Sequence, residues 1–347
     1  MQRFKDYSLL NENTFGIDQM CDEYVVYDGD ADAVSVAKEL REHAECPFLL
    51  LGGGSNLLLT EDFHGKVVSP AKRFDISVSM SYNSNVPTLR CWAGTKFDDV
   101  VDYAVRHGYY GLENLSLIPG ECGATAVQNI GAYGAEIKDV IELIEAVEIA
   151  TGNVVKIKPE NCDYAYRDSR FKHEWKNKYI ITYVSYRLSR SFKPELDYGN
   201  IRKRLAELGI GIDGLTAGQL RDVIIDIRRN KLPDPNVTGN AGSFFMNPIV
   251  DENTFLRLKK EHPDLRYFEV EPAGSVPLYK IPAGWMIEQC GWKGRAVGKA
   301  GVYDKQALIL INKGGASGKD IVDLMRAIQK DVKNKFGLDI KPEVNIL

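Results

Sequence analysis

Apolar residues in this chain keep two rhythms. Continuous runs such as "PFLLL" (residues 47–51), "GKVVS" (65–69) and "TLRCWAG" (88–94) read as buried strands, and the β-branched, aromatic run "YIITYVSYRLS" (179–189) reads as another. "AVEIATGNVVKIK" (146–158) sets two β-rich runs around Thr-Gly-Asn, a hairpin signal. Helical spacing takes over in "TKFDDVVDYAVRHG" (95–108). There Val101, Ala104 and Val105 share a face, Thr95 and Asp98 suggest a capping box, and Gly108 closes the last turn. It returns in "GQLRDVIIDIRRNKL" (218–232), with Leu220, Val223, Ile224 and Ile227 on one face, and in 317–337. That last segment has a Ser317 cap with Asp320 three residues on and a Gly337 stop. Strands and helices alternate with no repeating βαβ period and no internal repeat, so an α+β fold is expected. The break "LPDPNVTGNAG" (232–242) marks the start of a last domain.

Composition narrows the function classes. The chain has 347 residues, 44% hydrophobic, enough for a sizeable core and two or three domains. Its formal net charge is −4 and no Lys/Arg-rich run stands out, so no electrostatic footprint for a nucleic acid is present. The first residues lack the apolar run of a signal peptide and no run of apolar residues is long enough to span a bilayer. A cytoplasmic protein without a membrane partner is expected. Six cysteines and five histidines are scattered without C-x-x-C or H-E-x-x-H spacing, which predicts reduced thiols and no metal site.

Two glycine-rich stretches carry the candidate chemistry. In "FLLLGGGSNLLLT", Gly52, Gly53 and Gly54 have no Cβ, so consecutive N–H groups can form a concave anion site, with Ser55 and Asn56 adding side-chain donors. Read alone, it is equally a turn between buried strands, and it matches neither a P-loop nor a Rossmann fingerprint. The second stretch, "GLENLSLIPGECGATAVQNIGAYGAEI" (111–137), sets Gly120, Gly123, Gly131 and Gly134 among Asn114, Ser116, Thr125, Gln128 and Asn129. Neutral donors along close-approaching backbone suit a long ligand with a pyrophosphate centre and a flat polar ring. Three further residues invite a role: Arg167 in "YAYRDSRFK", Ser243 in "GNAGSFFMNP" and Glu343 in "KPEV". Taken singly, Arg167 reads first as a surface ion pair with Asp168 and Ser243 as a turn or cap residue, while Glu343 is either a salt-bridged chain end or a carboxyl with a raised pKa.

Together and in order, "NTFGI", "LGGGSNLLL", "GLENLSLIPG", "QNIGAYGAEI", "YAYRDSRFK", "KLPDP", "GNAGSFFMNP", "AGWMIEQCGWKG" and "KPEV" resemble the UDP-N-acetylenolpyruvoylglucosamine reductase family over nearly the whole chain. The resemblance implies a two-subdomain FAD-binding fold of the vanillyl-alcohol oxidase type plus a smaller α/β substrate domain. The expected segments are 1–72 and 73–232 for the two FAD subdomains and 233–337 for the substrate domain, with the tail 338–347 packing back near the active site. It implies NADPH as electron source, FAD as cofactor, a UDP-sugar substrate of peptidoglycan precursor synthesis, and a monomer. Ser243 would donate the proton, while Arg167 and Glu343 would act on the enolpyruvyl carboxylate. FAD would lie on Gly52, Gly53, Gly54, Ser55, Asn56, Pro119, Gly120, Gly123, Ala124, Gln128, Asn129, Gly131, Ala132, Tyr133 and Gly134. Substrate would meet Tyr166, Lys231, Asn247 and Tyr198, the last on a covering loop. Ala126 stands where the family often has proline. A flavin-dependent sugar or alcohol oxidase of the same fold and a non-catalytic nucleotide-sugar binder are the competing readings.

Overall fold

The computed structural model describes residues 1–80, 86–270 and 276–347, which fall into two compact units. The first comprises Met1–Ser8, Met20–Gly54 and Phe63–Asn230. It holds a four-stranded sheet in the order Gln2–Ser8, Met20–Tyr27, Phe63–Pro70, Phe48–Leu50. The last three strands run parallel, which requires a crossover between Met20–Tyr27 and Phe48–Leu50, and the helix Asp30–Glu42 provides it. A second, wholly antiparallel sheet has the order Val154–Ile157, Ile141–Glu148, Tyr179–Arg187, Pro87–Trp92, Ile76–Met80. Val25, Val36, Ala37 and Leu40 form one buried cluster with Trp92, Val147 and Ile180, so the helix Asp30–Glu42 packs into the core that the two sheets share. Both sheets, one formed before residue 72 and one after it, belong to this unit.

The periodicities locate most of these elements. The hairpin expected around Thr-Gly-Asn pairs Val147 with Val154 and turns through Gly152 at φ 75°. The run at 179–189 is a central strand of the five-stranded sheet, buried at Ile180, Ile181, Val184 and Tyr186. The helix expected over 95–108 spans Phe97–Arg106 and closes at Gly108, φ 69°. Its capping box does not form. The Thr95 hydroxyl binds the carbonyls of Arg73 and Asp75 instead, and the Asp98 carboxylate is taken by Arg221 and the Leu117 amide. Tertiary partners outbid the local cap because both side chains are drawn into buried polar positions.

The second unit comprises Leu9–Gln19, Ser55–Asp62 and Lys231–Leu347. Its larger sheet has the order Gly239–Asn240, Leu310–Asn312, Ala300–Val302, Ala296–Val297; a three-stranded sheet sets Leu278–Lys280 between Ile249–Asp251 and Phe268–Val270. The helix Gly318–Phe336 starts with the expected capping box between Ser317 and Asp320 and ends at Gly337 in the left-handed region. Ile321, Leu324, Ile328, Val332 and Phe336 on this helix pack with Phe15, Phe244, Phe245 and Met286 into one core. The chain's last strand, Asn345–Ile346, pairs in parallel with Leu57–Leu58. No helix among the described residues is long and apolar enough to cross a membrane.

Candidate active site

Within the first unit the two glycine-rich stretches meet. A Cβ built on Gly53 would stand 3.4 Å from the Gly120 Cα, and one on Gly52 would stand 3.4 Å from the Ala124 Cβ. The second stretch is clamped in place by backbone: Phe97 N–H donates to Gly120 O (3.0 Å), Cys122 N–H to Thr95 O (2.9 Å) and Gly123 N–H to Ala93 O (2.9 Å). A Cβ on Gly123 would lie 3.0 Å from that of Ala93, so a larger residue there would lift the loop off the strand end. The two stretches therefore lie against each other with backbone on backbone at Gly53 and Gly120 and only an alanine methyl beyond it at Gly52. The buried Glu121 carboxyl lies 3.5 and 3.7 Å from where a Cβ on Gly52 and on Gly53 would stand.

Further along, the segment Asn129–Gly134 carries the turn of Arg167. The Asn129 amide, fully buried and at φ 44°, donates to Ala165 O at 2.8 Å. Ala165 and Asp168 close a tight turn by reciprocal backbone bonds, which holds Arg167 at φ 57°, a region a non-glycine residue enters only when its surroundings enforce it. The Arg167 guanidinium then reaches the carbonyls of Asn129 and Gly131 and lies near the Tyr166 ring. Asn129 is thus spent on scaffolding rather than on presenting its side chain, while Gln128 accepts from Lys172.

A residue that sequence inspection passed over stands beside this turn. Arg228, on the helix Ala217–Lys231, lies near Tyr133 and Arg167; burial lowers its pKa from the usual arginine value, offset by Tyr133 and Asp98 and reinforced by Arg167. Its Nε is buried without a hydrogen-bond partner among the described residues. Two guanidinium groups close together, one of them desolvated, favour an anionic guest. Nothing in the helical pattern marks Arg228, because its neighbours come from segments about 60 and 95 residues earlier. Tyr198, 42% exposed, rides on the loop that packs against Tyr133 and Gly134.

Ser243 and Glu343 belong to the second unit and are brought to neighbouring backbone positions. Phe245 bridges Pro342 antiparallel, Met246 N–H donates to Lys341 O (2.9 Å) and Glu343 N–H donates to Phe244 O (2.8 Å). Ser243 directly precedes this ladder and follows Gly242, φ 68°, with its residue exposed to solvent. Asn56, expected among the cofactor contacts, donates its amide to Glu343 O at 3.2 Å and so helps fix the tail. The Asn247 side chain accepts from Ala283 N–H (2.9 Å) at the first residue of the helix Ala283–Gln289. Lys231 is exposed and opens the unit's long segment.

Comparison with known proteins fixes what this scaffold is. Residues 23–158 match the FAD binding domain, and residues 234–347 match the UDP-N-acetylenolpyruvoylglucosamine reductase C-terminal domain. A UDP-N-acetylenolpyruvoylglucosamine reductase of Bacteroides fragilis is 47% identical over 98% of this chain and 99% of its own length. The chain belongs to the UDP-N-acetylenolpyruvoylglucosamine reductase family. A Porphyromonas gingivalis member of the family is 43% identical over 99% of this chain and 98% of its own. A solved structure, the UDP-N-acetylenolpyruvylglucosamine reductase of Thermus caldophilus, superposes with a TM-score of 0.65 over 99% of this chain and 98% of its own at 23% identity, which supports the shared fold. Family membership bears out the expected α+β fold with an FAD-binding domain and the assignment as a flavin-dependent reductase.

Proposed function

We propose that the chain uses NADPH to reduce the enolpyruvyl group of UDP-N-acetyl-3-O-(1-carboxyvinyl)-glucosamine to UDP-N-acetylmuramate, with Ser243, Arg167 and Glu343 as catalytic residues. The observation that carries this reading is the full-length likeness to curated reductases of that name, together with a bare-backbone cradle suited to FAD. FAD, when bound, would supply hydride transfer from NADPH to the terminal carbon of the enolpyruvyl double bond. Gly52, Gly53, Gly54 and Gly120 would hold its pyrophosphate, and the Asn129–Gly134 backbone, with Ala132 and Tyr133, would line its ring.

The chemistry asks two things of the protein. Reduction at the terminal carbon leaves negative charge on the carbon beside the carboxylate and on the carboxylate oxygens. Charge-assisted hydrogen bonds from a fixed guanidinium stabilise that charge as it forms, and Arg167 is held in one conformation by its tight turn. Arg228 adds a second positive charge nearby. Glu343, as a neutral acid, would donate to the other oxygen. A proton must then reach the carbon next to the carboxylate. The Ser243 hydroxyl is a weak acid in water, yet beside carbanion-like character the transfer is downhill, and its exposure leaves the hydroxyl accessible. Tyr198, Tyr166, Lys231 and Asn247 would contact the substrate.

The test is an anaerobic titration. NADPH should bleach the flavin of the purified protein, and the enolpyruvyl sugar nucleotide should restore it. In Ser243→Ala, bleaching should persist while restoration slows by at least 100-fold. Undiminished restoration would remove Ser243 from the mechanism, and oxygen consumption with a sugar alone would favour an oxidase.

A further inference from the structure

Asn114 sits on the short 3-10 helix Glu113–Leu115 in the middle of the glycine-rich stretch and is 5% exposed. Its side-chain amide has two N–H groups and both are committed: one donates to Tyr133 O at 2.7 Å, the other to Glu195 O at 2.9 Å. The first carbonyl belongs to the loop proposed above to line the flavin ring. The second belongs to the loop that carries Tyr198, three residues on. The two loops are otherwise pressed together by missing side chains. A Cβ on Gly134, φ 87°, would come within 3.3 Å of the Tyr198 Cβ, and one on Gly199, φ 70°, within 3.2 Å of the Tyr133 ring. Glu195 also organises its own loop, its carboxylate accepting from Asp197 N–H at 3.0 Å. One buried amide therefore pins two backbone segments that lie 62 residues apart.

We propose that Asn114 is a positioning residue that latches the Tyr198 loop to the cofactor loop, so that it sets substrate affinity rather than the chemistry of the flavin. The inference rests on the reductase reading for its functional half only. Removing the amide leaves two carbonyls without their donor. The buried Leu196, in a cluster with Ile201, Leu205 and Leu220, keeps the base of the loop in place. The expected result is a loosened tip, not an unfolded unit.

Asn114→Ala and the near-isosteric Asn114→Asp, which offers acceptors where donors are needed, should both raise the KM for the enolpyruvyl sugar nucleotide about ten-fold. Flavin content and the rate of flavin bleaching by NADPH should stay within about two-fold. Combining either variant with Tyr198→Phe should give less than the product of the separate KM effects. Backbone amide exchange of residues 197–199 should quicken in the variants without any substrate present. That last reading holds even for a protein that does not turn over, so a failed reductase reading and a failed latch are told apart. Unchanged exchange, or a kcat loss at constant KM, would overturn the latch; if neither variant folds, slow exchange at 197–199 in the unaltered protein supports it and exchange as fast as that of a free chain overturns it.

Discussion

At the scale of single residues, the decisive property of this chain is where it has no side chain. A Cβ on Gly52 or Gly53 would already touch Ala124 or Gly120 at 3.4 Å, so a branched side chain that reaches further would press the two stretches apart. Gly53→Val should therefore lower FAD affinity at least ten-fold, measured by fluorescence quenching on titration with FAD, while the urea midpoint of the apoprotein changes little. A variant that binds FAD normally would return the stretch to being a plain turn. The same residues show what a sequence conceals. Asn129 and Asn56, both expected among the cofactor contacts, each give an amide N–H to a backbone carbonyl distant in sequence, those of Ala165 and Glu343. Arg228 gave no sign at all, since its burial depends on which helix face meets Tyr133.

At the scale of elements, the helices Phe97–Arg106 and Ala217–Lys231 are joined by a nearly buried ion pair. Arg221 donates to the Asp98 carboxylate at 2.8 and 3.1 Å, and the two side chains are 9% and 13% exposed. Burial pushes the Asp98 pKa up, but the hydrogen bonds from Arg221 and Leu117 outweigh it and the net shift is downward. A carboxylate whose folded pKa is depressed stabilises the fold above its unfolded value, about 4, and loses that contribution as pH falls through the folded value. Asp98→Asn should cost on the order of 1–2 kcal/mol at pH 7, because it removes the main charge partner of a nearly buried guanidinium and leaves it Asp102 at 3.5 Å. The gap between the urea midpoints of wild type and variant should narrow steadily below pH 4. A gap independent of pH would show that the pair contributes through packing alone. The expected capping box on the first of these helices failed for the same reason, because Asp98 is worth more to Arg221 than to its own helix end. On the helix Gly318–Phe336 the local Ser317–Asp320 box forms as expected, with Lys299 and Lys319 close enough to act on Asp320 without displacing it.

At the scale of the whole molecule, the chain divides its sequence unevenly between two compact units, and the division is not collinear. Leu9–Gln19 and Ser55–Asp62 are threaded through the N-terminal region yet belong with residues 231–347. The stretch GGGSN is split by this division, Gly54 closing a segment of the first unit and Ser55 opening one of the second. FAD binding to the native protein should stabilise it by about 2.7 kcal/mol at a free concentration 100 times its Kd. In thermal unfolding followed by circular dichroism, the midpoint should rise with the logarithm of added FAD. A midpoint indifferent to FAD would contradict the cradle even if flavin fluorescence were quenched.

Much of this protein was legible along the chain. Periodicity located strands within 47–51, 65–69 and 179–189, the hairpin at Gly152 and the helices ending at Gly108 and Gly337, because burial on one face imposes a local spacing. The ordered motifs gave the family, since each names a backbone shape that a ligand requires. The sequence could not say which donors remain available to a ligand. That is settled by partners distant in the chain: Ala165 for Asn129, Arg221 for Asp98, and Tyr133 with Glu195 for Asn114. A buried polar group must find a partner wherever the fold puts one, and proximity of that kind is a property of three dimensions that no local pattern records.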